Sequence, residues 1–210
     1  MPARPGAGRP TARQAEQRHE QMLDSALAIF LDKGFEQTTM ESIAASVGMT
    51  KRTVYARYAD KQALFRATIH RAFERWTVPI DTLRAVETPD LRETLTAIGL
   101  LRMRSMISPG GLLLQRLINA ESYRFPEILL AAYREGTEPA VAYLGDLFRR
   151  FAARGQMRAD KPSLLAQTFL SLVVGGSTRN VILGLEVDEA ETEARVRFSV
   201  GLFLDGVVPR

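Results

Sequence analysis

The sequence predicts an all-α fold of about nine helices, arranged as a small three-helix N-terminal domain and a larger helical bundle behind it. Three observations carry that expectation. Apolar residues recur at helical spacing along most of the 210 residues, no segment alternates convincingly at period two, and proline and glycine interrupt the pattern where helices would end. No internal repeat is present.

The elements follow in order. Residues 1–17, rich in Pro, Gly and Arg and without an apolar period, are expected to form a flexible basic arm, readable on composition alone as a solubilising tail. Leu23, Ala26, Leu27 and Phe30 give residues 18–32 helical spacing, with Gly34 as a stop. Thr39 then caps a short helix carrying Ile43, Ala44 and Val47, Gly48 breaks it, and Thr50 caps another carrying Val54 and Tyr58. Asp60 caps a longer helix through Leu64, Phe65, Ile69, Ala72, Phe73 and Trp76, ending before Pro79. Further helices are expected near 90–107, 110–122, 126–154, 162–184 and 188–206, punctuated by Pro109, Pro126, Gly155, Pro162 and Gly184. The domain division is placed at 18–66 and 67–207.

Composition narrows the function classes. With 46% hydrophobic and 25% charged residues the chain has material for a buried core. The absence of cysteine excludes disulfides, a thiolate nucleophile and cysteine-bound zinc, and fits a reducing cytosol. The longest apolar stretch, residues 169–185, contains Ser171, Ser177, Thr178, Arg179 and Asn180 and makes a poor membrane span. The N-terminus lacks the apolar core of a signal peptide. A cytoplasmic protein without a membrane partner is therefore expected. The net charge is +4, and ten Lys/Arg stand against seven Asp/Glu up to Arg66, so the excess lies where a polyanion would dock.

The informative block is residues 39–58, TMESIAASVGMTKRTVYARY. A helix-turn-helix needs a small residue where its helices touch, a tight turn, and apolar residues that hold the second helix at its crossing angle. Ala44, Gly48 and the trio Ile43, Val47 and Val54 meet those needs. The second helix then presents Lys51, Arg52, Thr53, Tyr55 and Arg57, hydrogen-bonding groups suited to base edges and phosphates. An ordinary helical hairpin with a solvated basic face satisfies the same spacing.

Residues 22–66 resemble the N-terminal domain of the TetR family of repressors. The matching positions are Ala26 with Phe30, Gly34 and Phe35, Thr38 and Thr39, Ile43 and Ala44, Val47 to Lys51, Thr53 to Tyr55, Tyr58, and Lys61 with Leu64 and Phe65. Arg52 departs from the glycine of many relatives, and Tyr58 from a frequent phenylalanine. The resemblance implies that the helix starting at Thr50 enters a major groove, with Thr39, Thr50, Lys51, Arg52, Thr53, Tyr55, Arg57, Tyr58 and Lys61 as candidate contacts to operator DNA. Among these, Tyr55 and Lys61 look like the family's phosphate-binding pair. It also implies that the arginines of the arm (Arg4, Arg9, Arg13, Arg18) reach a minor groove. Residues 116–127, RLINAESYRFPE, resemble the AefR-like effector domains of the same family.

Under that architecture the last two long helices are expected to form a homodimer interface. Gly175, Gly176 and Gly201 would permit close approach, and Phe169, Leu172, Val173, Val181, Phe198, Leu202 and Phe203 would supply apolar surface, or else fill the protomer's own core. Candidates for a small-molecule effector pocket are Trp76, Leu100, Met103, Met106, Leu113, Leu117, Glu121, Tyr123, Tyr133, Phe148 and Phe169; packing in the core is open for each. No cofactor, metal or catalytic residue is expected. His19 and His70, read as surface residues, form no local metal motif, and the acidic run 186–193 suits a helix start. The expected function is that of a ligand-responsive transcriptional repressor. A DNA-binding module without a ligand and a small helical enzyme are the alternatives.

Overall fold

A computed structural model describes the backbone of residues 11–182 and 188–207, and the side chains of residues 11–175 and 188–207. Regular structure among them is entirely helical: α1 Ala12–Gln37, α2 Met40–Ser46, α3 Lys51–Tyr55, α4 Lys61–Trp76, α5 Ile80–Arg84, α6 Leu91–Ile107, α7 Pro109–Glu121, α8 Glu127–Ala131, α9 Glu138–Ala153, α10 Pro162–Ile182 and α11 Glu189–Val207. A π-helical turn, Ala132–Thr137, joins α8 to α9. Counting α8, the turn and α9 as one rod and setting aside the single-turn α5 leaves nine helices among the described residues. None is long and apolar enough to cross a membrane. Contacts divide the chain into one unit up to Arg71 and another from Ala72, five residues beyond the division expected at 66/67.

Local chemistry explains where the helices depart from expectation. α1 starts at Ala12 rather than residue 18, because Thr11 and Gln14 form a reciprocal capping box: the Gln14 N–H donates to Thr11 Oγ1 at 3.3 Å and the Thr11 N–H to Gln14 Oε1 at 3.0 Å. The expected flexible arm is thus corrected over residues 12–17; Arg4 and Arg9 lie outside the described residues. The helical conformation breaks at Gly34, φ 73°, as expected of a stop, although a last turn follows it. α5 is too short to show a period and is anchored by the buried Leu83. The π-helical turn lies just before Pro139, whose ring crowds the carbonyl four residues back and lacks an N–H to answer it.

The N-terminal unit closes on Leu23, Ala26, Leu27 and Phe30 of α1, Ile43 and Ala44 of α2, Val54 of α3, and Leu64, Phe65 and Ile69 of α4. Phe65 meets Phe30 and Phe35 edge-on, with ring centroids 4.8 and 5.2 Å apart. In the C-terminal unit the core is drawn from α6, α9, α10 and α11, with Phe148, Phe169 and Phe203 as a mutual aromatic cluster. Met103, Phe148 and Phe169, expected at an effector pocket, are fully buried here, because their helical positions face inward to this core. Phe169, Val173 and Phe203, expected at a dimer interface, are likewise spent within the protomer.

A polar clamp pins α9 to the segment after α5. Arg150 donates two hydrogen bonds of 2.8 Å to the Glu87 carboxylate, and the Tyr143 hydroxyl lies 2.9 Å from Glu87 Oε1 and 3.2 Å from the Leu83 carbonyl. The Arg150 hydrogen bonds hold the Glu87 carboxyl below its ordinary pKa, while burial raises that of Tyr143. A depressed carboxylate stabilises the fold above its unfolded pKa, about 4.3, and loses that contribution as pH falls through the lower folded value. We therefore expect urea stability to drop on acidification below about pH 4.3 and Glu87→Gln to flatten that part of the profile. An equal acid dependence in the variant would contradict this role.

Candidate functional site

The N-terminal unit assembles its exposed face from two capped helices and a tight turn. Thr39 Oγ1 accepts from the Ser42 N–H at 3.0 Å, and the Thr39 N–H donates back to Ser42 Oγ at 3.2 Å, fixing the start of α2. Gly48 ends it with φ 63°, a left-handed conformation that L side chains adopt only at a cost. The Met49 N–H then reaches the Ala44 carbonyl at 2.9 Å and the Gly48 N–H the Ala45 carbonyl at 3.2 Å, a Schellman closure. Thr50 caps α3 through the Thr53 N–H at 3.2 Å, with the two hydroxyls 2.8 Å apart.

A single buried residue, Val54, anchors α3, and everything else on it is exposed. Lys51, Arg52, Thr53 and Tyr55, followed by Arg57, therefore crowd one short solvent-facing surface with hydroxyls and cations. Lys51 forms an ion pair with Glu41 of α2 and lies 5.4 Å from the centre of the Tyr55 ring. That pair lowers the Glu41 pKa and raises that of Lys51. Both partners are exposed, so a polyanion can compete for the lysine.

Lys61 has partners the sequence did not reveal. Its Nζ donates to the carbonyls of Phe35 and Glu36 at 2.7 and 3.1 Å and sits 4.4 Å from the centre of the Phe35 ring, which ties α4 to the end of α1. Two of three ammonium protons are used. Tyr58 is half-buried, its hydroxyl 2.6 Å from His19 Nε2, and burial raises its pKa. His19 is thus a packed residue, correcting the surface reading; the ring of Tyr58, by stacking on it, locks α1 against the segment after α3. His70 is exposed.

In the C-terminal unit a cavity of about 260 Å³ lies between the end of α4, α6, α7 and the π-helical turn. Phe73, Trp76, Met106, Leu114, Ile118 and Val174 form its apolar walls, and Arg102, Ser105, Gln115, Thr77 and Thr137 its polar ones. Of the eleven residues expected at a pocket, Trp76 and Met106 line it. Leu100 faces a separate shallow depression with Arg92 and Arg197. Leu117 is buried without lining the cavity, Glu121 is half-buried, and Leu113, Tyr123 and Tyr133 are exposed, which corrects their assignment to a pocket wall. Arg102 was missed, although a cation inside the apolar run 100–103 was the signal that marked it. Among the described residues no cluster of His, Asp or Glu is arranged to hold a metal.

Comparison with known proteins adds the following. Residues 22–68 match the family model of bacterial regulatory proteins of the tetR family, and residues 93–206 that of the AefR-like transcriptional repressor C-terminal domain. The HTH-type transcriptional repressor Rv1474c of Mycobacterium tuberculosis is 28% identical over 162 residues, covering 76% of this chain and 79% of that one. A solved TetR-family transcriptional regulator from Mesorhizobium loti superimposes with a TM-score of 0.81 at 25% identity, covering 95% of this chain and all of the other. The flavonoid-responsive regulator FrrA superimposes with a TM-score of 0.75 at 29% identity, over 93% and 99% of the two chains.

Proposed function

Since this chain belongs to the TetR family of transcriptional repressors, we propose that in the cytoplasm it binds a pseudo-palindromic operator as a homodimer and releases it when a small, largely apolar compound fills the cavity bordered by Trp76. The observation that carries the reading is α3 itself, five residues held by Val54 alone with every other side chain exposed. One such helix spans only a few base pairs, so useful specificity requires two copies on paired half-sites. The third ammonium proton of Lys61 and the Tyr55 hydroxyl supply phosphate contacts, and Arg52 reads a base edge. The cavity favours a liganded regulator over a DNA-binding module with a filled core. That FrrA is flavonoid-responsive supports an aromatic effector. Differential affinity of the effector for the operator-competent and released states, on the order of 1–3 kcal/mol, is sufficient for the switch.

The test is binding-site selection on random duplexes with three proteins. Arg52→Ala is expected to relax preference at one symmetric pair of operator positions, a loss of about 1–3 kcal/mol of discrimination. Tyr55→Phe, which removes only a hydroxyl, is expected to weaken all duplexes by a similar factor and leave the preference unchanged. An unaltered preference in Arg52→Ala assigns that arginine to phosphate or solvent and overturns base reading.

A further inference from the structure

We infer that the cavity of the C-terminal unit is built for an aromatic carboxylate, its ring against Trp76 and its anionic head on the Arg102 guanidinium. This rests on the proposed effector role of the same cavity and adds the ligand's charge and shape. Arg102 carries five N–H donors, yet among the described residues its one hydrogen bond is from Nη2 to the Gly136 carbonyl at 3.1 Å. Among the described residues no acidic side chain lines the cavity and no carboxylate pairs with Arg102. Burial lowers its pKa without an opposing charge to restore it. A half-buried cation left in this state meets its desolvation cost incompletely, and a planar carboxylate is the group that matches its fork of donors.

The acceptor lies on a local irregularity of the backbone. Gly136 belongs to the π-helical turn, a feature that concentrates at functional sites, and the turn itself supplies Ala132, Gly136 and Thr137 to the cavity. Trp76, another lining residue, is held by its neighbours. Ser105 Oγ donates to the Trp76 carbonyl at 2.5 Å, and the indole lies so close over Gly110 that a Cβ there would stand 2.1 Å from the ring. A rigid indole with Phe73 beside it suits a flat ring, while neutral Ser105, Gln115 and Thr137 offer hydrogen bonds without competing for the arginine. A cationic ligand would find no counter-charge among the described residues of this lining.

The test uses the full chain and a matched pair of probes, 2-naphthoate and its neutral isostere 2-naphthamide, titrated calorimetrically at pH 7.5. The acid is expected to bind at least tenfold more tightly, about 1.4 kcal/mol at 25 °C. Arg102→Met should erase that preference and Arg102→Lys should keep part of it, with circular dichroism reporting whether each variant folds. Equal affinity for acid and amide in the unaltered protein overturns the inference without any variant, as does binding of neither, or a preference that survives in folded Arg102→Met. Adding the selected operator duplex separates the two readings. Acid binding that leaves the duplex bound upholds the cavity chemistry and overturns the effector role; release by an equally well-bound amide does the reverse.

Discussion

Replacing Phe198 and Leu202 together by glutamate is expected to leave a folded monomer whose operator affinity is lower by at least about a hundredfold, the scale on which linking two weak sites contributes. Both residues lie on α11, one turn apart, with 71% and 54% of their surface exposed, although their neighbours Phe203 and Leu204 are buried in the protomer. Large apolar side chains left in water on one helix face favour burial against a second copy. Gly175 on α10 is exposed too, with open space where a Cβ would sit, so another backbone can approach there; Gly176 and Val181, named with it from sequence, have side chains outside the described residues. Glutamates at 198 and 202 would confront their mates across a two-fold axis. Light scattering at micromolar concentration with a mobility-shift titration reads both effects. A double variant that stays dimeric would place the interface elsewhere.

Phe148→Ala should have the largest effect on stability, about 3–5 kcal/mol, without acting through a ligand. The ring is fully buried on α9, 5.5 Å from Phe203 and 6.4 Å from Phe169, so truncation opens a void that three helices must collapse to fill. Tyr123→Ala is the control: its side chain is fully exposed, and a change within about 0.5 kcal/mol is expected. Urea denaturation of both variants checks the pair. A cost below about 1 kcal/mol for Phe148→Ala would mean that the aromatic cluster is loose enough to be a pocket after all.

That contrast shows what the sequence made legible and what it did not. Thr39, Gly48, Thr50 and Asp60 act through their own backbone neighbourhood, and the caps and turn they predict are present, with Asp60 Oδ1 accepting from the Ala63 N–H at 2.7 Å. Long helices such as α6 and α7 follow from apolar period and from Pro109 for the same local reason. Pocket walls do not. Phe148 and Trp76 have identical warrant in one dimension, as aromatics at helical spacing, and only the packing of distant helices sends one to the core and the other to a cavity. The partners of Lys61, 25 and 26 residues away, are two carbonyls that no pattern marks. The π-helical turn is within reach of the sequence, since Pro139 interrupts the expected helix 126–154.

Whether a dimer reads a two-fold operator through α3 is decided by sequencing the duplexes that the purified protein retains from a random pool. Enrichment of an inverted repeat whose half-sites lie about one helical turn of DNA, or a multiple of it, apart is expected, with a footprint on both halves. Retention of no duplex, or enrichment of a sequence without two-fold symmetry, would contradict it.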